Sequence, residues 1–239
     1  MDHTLRALPV HTITLDATNL GKTFPEYKPT YQFAKKYITR YHRNLSRVPT
    51  SGDCIQLRDR RFGGQQIEGW LRVPDALKLY EMAYLNRGRV LELGTYRGLS
   101  TYIMARAMQD AKSTHSLTTI DLYADYQTIA QQHLRHGRIR TQVEMISGDA
   151  AEILRRLVET GDQFPFVFVD HSHAYRDVAA ACQFLPDLIA LDGFVLFHDY
   201  NDGRNGIDEG YGVYQAVRDT LLGFEPFGVF GCTGLFRRR

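Results

Sequence analysis

The sequence predicts a doubly wound α/β domain built on a mostly parallel sheet, and three observations carry that reading. Five short β-favouring runs, Arg89–Leu93, Leu117–Asp121, Val143–Ser147, Phe166–Asp170 and Phe194–His198, are separated by segments of helix length. Strands alternating with helices build a parallel sheet. Gly94 and Gly98 follow the first run directly and precede a stretch in which Ile103, Met104, Ala107 and Met108 recur at helical spacing, giving the order strand, glycine turn, helix. Asp121, Asp149, Asp170 and Asp199 all fall at or just past strand ends, where sheets of this kind bind their ligands.

Taken in order, Tyr31, Ala34, Tyr37, Ile38, Tyr41 and Leu45 recur at helical spacing with Lys35, Lys36, Arg40 and Arg43 between them. This predicts one amphipathic helix whose aromatic stripe packs against the sheet or a second subunit. Residues 51–69 contain Gly52, Gly63, Gly64 and Gly69 and read as a mobile loop. An N-terminal helical and loop extension over residues 1–66 thus precedes a main domain over residues 67–239. Further helices are expected at Asp125–His136, Ala150–Thr160 and Tyr175–Ala190, the last kinked or restarted by Pro186, with Gly137, Gly161 and Gly193 at their ends. Tyr211–Leu222 reads as helical, and Phe227–Phe230 and Leu235–Phe236 flank Gly231-Cys232-Thr233-Gly234 as a C-terminal antiparallel hairpin.

Composition narrows the chemistry. A net charge of +2 with 23% charged residues supplies no field for nucleic acid or an anionic membrane. The apolar runs fall short of the roughly 20 residues of a membrane helix, and the N-terminus, with His3 and Arg6, has no apolar signal core, so a cytoplasmic protein is expected. Cys54, Cys182 and Cys232 are odd in number and widely separated, which reads as plain thiols. A dinucleotide would require Gly-x-Gly-x-x-Gly, whereas this turn carries Thr95 and Tyr96, and Glu92 repels a pyrophosphate while attracting a cation or an amino group. A small ligand without phosphates fits better.

Val90–Thr101, Leu117–Asp121, Gly148-Asp149-Ala150 and Val169–Tyr175 with Phe197–Tyr200 resemble, in order, the motifs of class I S-adenosylmethionine-dependent methyltransferases, over roughly residues 67–236. The glycine loop is similar to that of the catechol O-methyltransferase-like, metal-dependent enzymes. Val-Asp-His-Ser-His-Ala-Tyr followed by Phe-His-Asp-Tyr is similar to a bacterial branch that includes macrolide-sugar and cephamycin-pathway methyltransferases. The resemblance implies a seven-stranded, Rossmann-like sheet with S-adenosylmethionine as cofactor. It implies that Gly94, Tyr96 and Gly98 shape the turn beside the methionine moiety and that Ser100 or Thr101 holds its carboxylate. Asp121 would accept from both ribose hydroxyls, Asp149 and the Ala150 N–H would read the adenine edge, and Glu92, Asp170 and His171 complete the set.

Asp170 and Asp199 each follow an apolar strand, so neighbouring strand ends bring them together, where two anions repel unless a cation or proton intervenes. A hard divalent ion such as Mg2+ answers that need, with His198 as a softer nitrogen ligand. The chain departs from the catechol-type pattern at Tyr200, where an asparagine ligand is usual, and from the macrolide-sugar pattern at His198, where a second carboxylate is usual. His173 stands where the catechol-type enzymes carry a catalytic lysine and the macrolide-sugar enzymes a histidine, and its pKa range suits proton removal near neutrality. Together with Asp170 it forms the expected catalytic pair. The expectation is O-methylation of a hydroxyl on a small molecule, a natural-product or sugar-containing metabolite, by a homo-oligomer. An N-methyltransferase, an aminopropyl transferase and a non-catalytic cofactor-binding module on the same fold stay open.

Overall fold

The computed structural model describes residues 39–52, 54–59 and 65–239. Seven strands form one sheet: β1 Val90–Leu93, β2 Leu117–Asp121, β3 Val143–Ser147, β4 Phe166–Val169, β5 Phe194–Phe197, β6 Phe224–Phe230 and β7 Thr233–Arg238, in the spatial order β6-β7-β5-β4-β1-β2-β3. β1 to β5 are parallel, with Val90 opposite both Leu117 and Phe166, and Phe166 opposite Phe194. β7 enters antiparallel to β5 and β6, with Leu235 opposite Leu196. The central strands β1, β4 and β5 are buried along their whole length, as expected of parallel strands covered on both faces. The doubly wound sheet with a closing hairpin is therefore as the sequence pattern predicts.

The period of two in each strand sorts its side chains onto the two faces. Val90, Phe166, Phe168, Phe194 and Leu196 pack with the helices α2 (Val73–Leu85) and α3 (Leu99–Asp110). Leu91, Leu93, Val167, Val169, Val195 and Phe197 pack with α5 (Ala150–Glu159), α6 (Tyr175–Cys182), α7 (Leu185–Leu188) and α8 (Val213–Thr220). The helix α4, Ala124–His136, lies beside α3, β2 and β3. Pro186 restarts the chain as α7 after a break at Gln183–Phe184.

Two expectations are corrected. The segment read as a loop contains two short antiparallel pairs, Thr50–Ser51 with Cys54–Ile55 and Leu57–Asp59 with Gln65–Ile67, because Ile55 and Ile67 have an apolar core to enter. The helix α2 was not foreseen, although Pro74 stands in its first turn and Asp75 accepts a hydrogen bond from the Arg72 N–H at 2.9 Å, both start signals. Of the predicted N-terminal helix, Arg40–Leu45 (α1) is helical and capped by the Thr39 hydroxyl; the part before residue 39 lies outside the described residues. α1 packs on α2, where Tyr80 donates to Asp110 at 2.7 Å and pairs with Thr39 at 2.5 Å. No helix among the described residues is long and apolar enough to cross a membrane. Phe166 is 1% exposed on the central β4, so Phe166→Ala is expected to lower the unfolding free energy by about 3–5 kcal/mol, read by denaturant titration.

Candidate active site

The turn after β1 is shaped by close backbone approach. Gly94 adopts φ 98°, and a Cβ there would lie 2.0 Å from the Asp170 carbonyl oxygen at the end of β4; no side chain larger than hydrogen fits. The turn then passes through Tyr96 (φ 43°) and Gly98 (φ 88°), which opens α3. Tyr96 is held in this left-handed conformation by its N–H, which donates to Asp121 Oδ2 at 2.7 Å, while the Tyr123 N–H donates to Oδ1 at 2.9 Å. Asp121 is thus half-buried at the end of β2 with one backbone donor on each oxygen and a further lone pair on each. The Tyr96 ring meets Tyr126 at 4.9 Å and Trp70 at 5.8 Å between centroids.

Glu92, Ser100 and Thr101 are placed differently from what the sequence suggests. Glu92 is fully buried and accepts from the Ser100 hydroxyl at 2.5 Å and the Thr101 hydroxyl at 2.6 Å, so the three engage one another. Side chains alternate along a strand, so Glu92 shares the face of Val90, towards α3. Burial pushes its carboxyl up to about 7 against the opposing hydroxyl hydrogen bonds. Asp149 is the N-cap of α5, accepting from the Glu152 N–H at 3.0 Å, and Ala150 is the first residue of that helix, where backbone N–H groups lack intrahelical partners. His171 Nδ1 is buried without a hydrogen-bond partner among the described residues, and burial lowers the pKa of its ring.

Where β4 and β5 end, the predicted chemistry converges. His173 Nε2 lies 2.8 Å from Asp199 Oδ2 and 3.9 Å from Asp170 Oδ1. His198 Nδ1 lies 3.1 Å from Asp170 Oδ1 and 3.4 Å from Asp199 Oδ2. Donor atoms of Asp170, His173 and Asp199 all fall within 4.8 Å of one another, a spacing that a metal ion can bridge. Burial favours a neutral Asp199, yet the His173 hydrogen bond and the neighbouring rings outweigh it and hold this carboxyl well below the usual range. Burial likewise opposes charge on His198, but the Asp170 charge outweighs it and raises the ring well above its ordinary value. Asp199 adopts φ 54°, uncommon for a residue with a Cβ, and Asn205 Nδ2 donates to its carbonyl at 2.8 Å to hold it there. Tyr200 turns away to pack on Phe236 and Tyr214 at 5.2 and 5.3 Å, so this position offers no ligand.

Further contributors were not foreseen in these roles. Tyr211 stacks on the His173 ring at 4.8 Å with planes 8° apart, and Arg204 lies over the Tyr211 ring at 3.8 Å. Arg204 also forms a two-pronged pair with Asp202 at 2.8 and 2.7 Å. Behind His198, Nε2 lies 3.2 Å from Cys232 Sγ, and Cys232 donates to Asp75 at 3.4 Å. Asp75 and Cys232 stand 157 residues apart in sequence, and no local pattern pairs them.

Residues 91–200 match a protein family described as a methyltransferase domain. The probable caffeoyl-CoA O-methyltransferase 3 of Dictyostelium discoideum is 25% identical over 149 residues, covering 57% of this chain and 58% of the relative. Catechol O-methyltransferase B of Danio rerio is 32% identical over 111 residues, covering 46% of this chain and 38% of the relative. The chain therefore spans a little over half the length of the first and under two fifths of the second. The crystal structure of the O-methyltransferase TomG from Streptomyces achromogenes, involved in tomaymycin synthesis and in complex with SAM, superposes with a TM-score of 0.58 at 21% identity, covering 84% of this chain and 90% of that one.

Glu92 generates a stability prediction. Its folded pKa of about 7 exceeds the ordinary 4.5, so the unfolded chain releases this proton first, and stability falls as pH rises from about 4.5 to 7 and is flat above. Glu92→Gln is expected to remove that fall, worth roughly 3 kcal/mol, in the wild-type minus variant difference of unfolding free energy across pH.

Proposed function

We propose that this chain, whose residues 91–200 carry a class I S-adenosylmethionine-dependent methyltransferase domain of the catechol O-methyltransferase-like branch, transfers a methyl group to a hydroxyl of a small natural-product or sugar-containing metabolite. The observation that carries the reading is the His173–Asp199 contact of 2.8 Å placed beside Asp170, whose backbone closes on the glycine turn. A base, an orienting carboxylate and a cofactor crevice then share one strand-end edge.

The residues fit the cofactor. Asp121 keeps a lone pair on each oxygen for two adjacent hydroxyls, and the buried His171 Nδ1 has a hydrogen-bonding position to fill. The Ala150 N–H and the exposed Asp149 border the same edge. When bound, the sulfonium supplies an electrophilic methyl carbon and leaves as a neutral thioether. The acceptor oxygen must lose a proton as its bond forms, and His173 takes it: the Nε2–H is committed to Asp199, which leaves the Nδ1 lone pair to accept and the Asp199 charge to stabilise the imidazolium. Stacking on Tyr211 fixes the ring plane, and positioning of this kind contributes much of the rate in an in-line displacement. Asp170, Asp199 and His198 would hold a divalent cation, which lowers the pKa of a coordinated hydroxyl. The loop Asn201–Gly210 and the segment 51–69 are the proposed walls of the acceptor site. Residues 1–66 act as a cap or an oligomer contact for a domain that begins near residue 67, in a cytoplasmic homo-oligomer.

The test is transfer of labelled methyl from S-adenosylmethionine to a panel of hydroxylated acceptors. Cofactor binding without transfer to any acceptor overturns the enzymatic reading in favour of a binding module. Asp121→Ala is expected to weaken cofactor binding by about 1–3 kcal/mol in calorimetry. His173→Ala is expected to slow single-turnover transfer by about 10²–10⁴-fold and flatten the acidic limb of its pH profile while cofactor affinity stays unchanged.

A further inference from the structure

The donor set at the ends of β4 and β5 differs from the all-oxygen set that magnesium prefers. His198 Nδ1 is shut away from solvent and directed into no hydrogen bond among the described residues, although Asp170 Oδ1 and Asp199 Oδ2 lie 3.1 and 3.4 Å from it. That is the spacing of atoms that share an ion: ligands at about 2.0–2.2 Å from one centre stand about 3.0–3.5 Å apart.

The far side of the ring supports the same assignment. The Cys232 thiol donates to Asp75 Oδ2, so its sulfur is the acceptor left for His198 Nε2 at 3.2 Å. With one proton kept on Nε2, a divalent cation between the ring and the carboxylates takes the place of the proton they otherwise favour on Nδ1, and the Nδ1 lone pair faces the ion. Asp75 is anchored in turn by the Cys232 N–H, the Thr233 N–H and the Thr233 hydroxyl on Oδ1 and by the Arg72 N–H on Oδ2. Asp75, His198 and Cys232 are 2%, 6% and 3% exposed, so the ring has no room to turn over. Imidazoles that bind metals are supported in this way, with the second nitrogen committed to an outer acceptor that fixes the tautomer.

We propose that His198, positioned by Cys232 and Asp75, is the nitrogen ligand of the divalent cation held by Asp170 and Asp199, and that it makes the site select a first-row transition ion over magnesium. The proposal rests on the reading of the carboxylate pair as a cation site and leaves His173 as the proton acceptor. An imidazole nitrogen strengthens binding along the series from manganese to cobalt, whereas magnesium keeps oxygen ligands and water and gains little from it.

The test uses the full chain without a methyl acceptor. Calorimetric titration with Mn2+, Co2+ and Mg2+ is expected to give Co2+ and Mn2+ at least about 10-fold tighter than Mg2+, with Co2+ the tighter of the two. The Mn2+-loaded protein is expected to show spin-echo modulation from a directly bound 14N, lost in His198→Gln and kept in His115→Gln, an exposed residue of the turn before β2. His198→Gln is expected to weaken Co2+ about 100-fold and Mg2+ by less than about threefold, and Asp75→Asn to weaken Co2+ about 10-fold. Equal affinities for Mg2+ and Co2+ overturn the proposal. So does nitrogen modulation that survives His198→Gln and vanishes in His173→Gln, or a thiolate-to-cobalt charge-transfer band that places the ion on Cys232. Should His198→Gln fail to fold, the wild-type ion preference and nitrogen signal decide. Calorimetry with S-adenosylmethionine on the same preparation separates the readings: cofactor binding with no preference among the ions overturns this inference alone.

Discussion

Asp170 and Asp199 follow the ends of adjacent parallel strands, and their carboxylates meet where Asp199 is buried and Asp170 half-buried. Two anions at such a point repel by several kcal/mol unless positive charge or donated hydrogen separates them. Much of the surrounding structure answers that constraint. His173 approaches Asp199 from the loop after β4, and His198 lies between the pair and the buried Asp75. The cluster is also mechanical, because Asp75 belongs to α2 while Cys232 lies in the β6–β7 turn and Thr233 opens β7. One carboxylate therefore ties the start of a helix on one face to the antiparallel hairpin that closes the sheet.

The loop from Asn201 to Gly212 supports the exposed side of the same cluster. Asn205 donates to the carbonyls of Asp199 and Asp202 at 2.8 and 3.0 Å and accepts from the Tyr214 N–H at 3.0 Å, so a single amide fixes the strained Asp199 and the start of α8. Asp202 orients Arg204, Arg204 covers Tyr211, and Tyr211 covers His173. The Gly212 N–H returns to the His173 carbonyl at 2.8 Å. An imidazole held on both its ring face and its backbone has little freedom left to lose, which is the condition under which preorganisation acts.

At the other end of the crevice the coupling runs through backbone. Gly94 packs against the Asp170 carbonyl, so the glycine turn after β1 and the strand end that presents the Asp170 carboxylate touch without an intervening side chain. Asp121 holds that turn by its Tyr96 N–H contact. The approach is too close for β1 to slide against β4 without a clash, so the turn after β1 and the end of β4 keep a fixed relation.

Much of this was legible in the sequence because it is local. Alternation of apolar runs with helix-length segments predicts the parallel sheet, and the spacing of Gly94 and Gly98 predicts the turn, since both depend on the intrinsic geometry of strands and of residues lacking a Cβ. That Asp121, Asp170 and Asp199 share one edge also follows, because parallel strands all end on the same side. Tertiary structure decided the rest. Glu92 reads as an anion facing a ligand, but strand parity turns it towards α3, where two hydroxyls absorb it. Cys232 reads as a plain thiol and Asp75 does not stand out at all, yet chain closure over 157 residues joins them behind His198. Tyr211 gains its stacking role only from the path of a loop. Sequence determines which groups can carry charge and where the backbone can turn; only packing decides which of those groups meet, because the distances that set their chemistry are fixed by elements far apart in the chain.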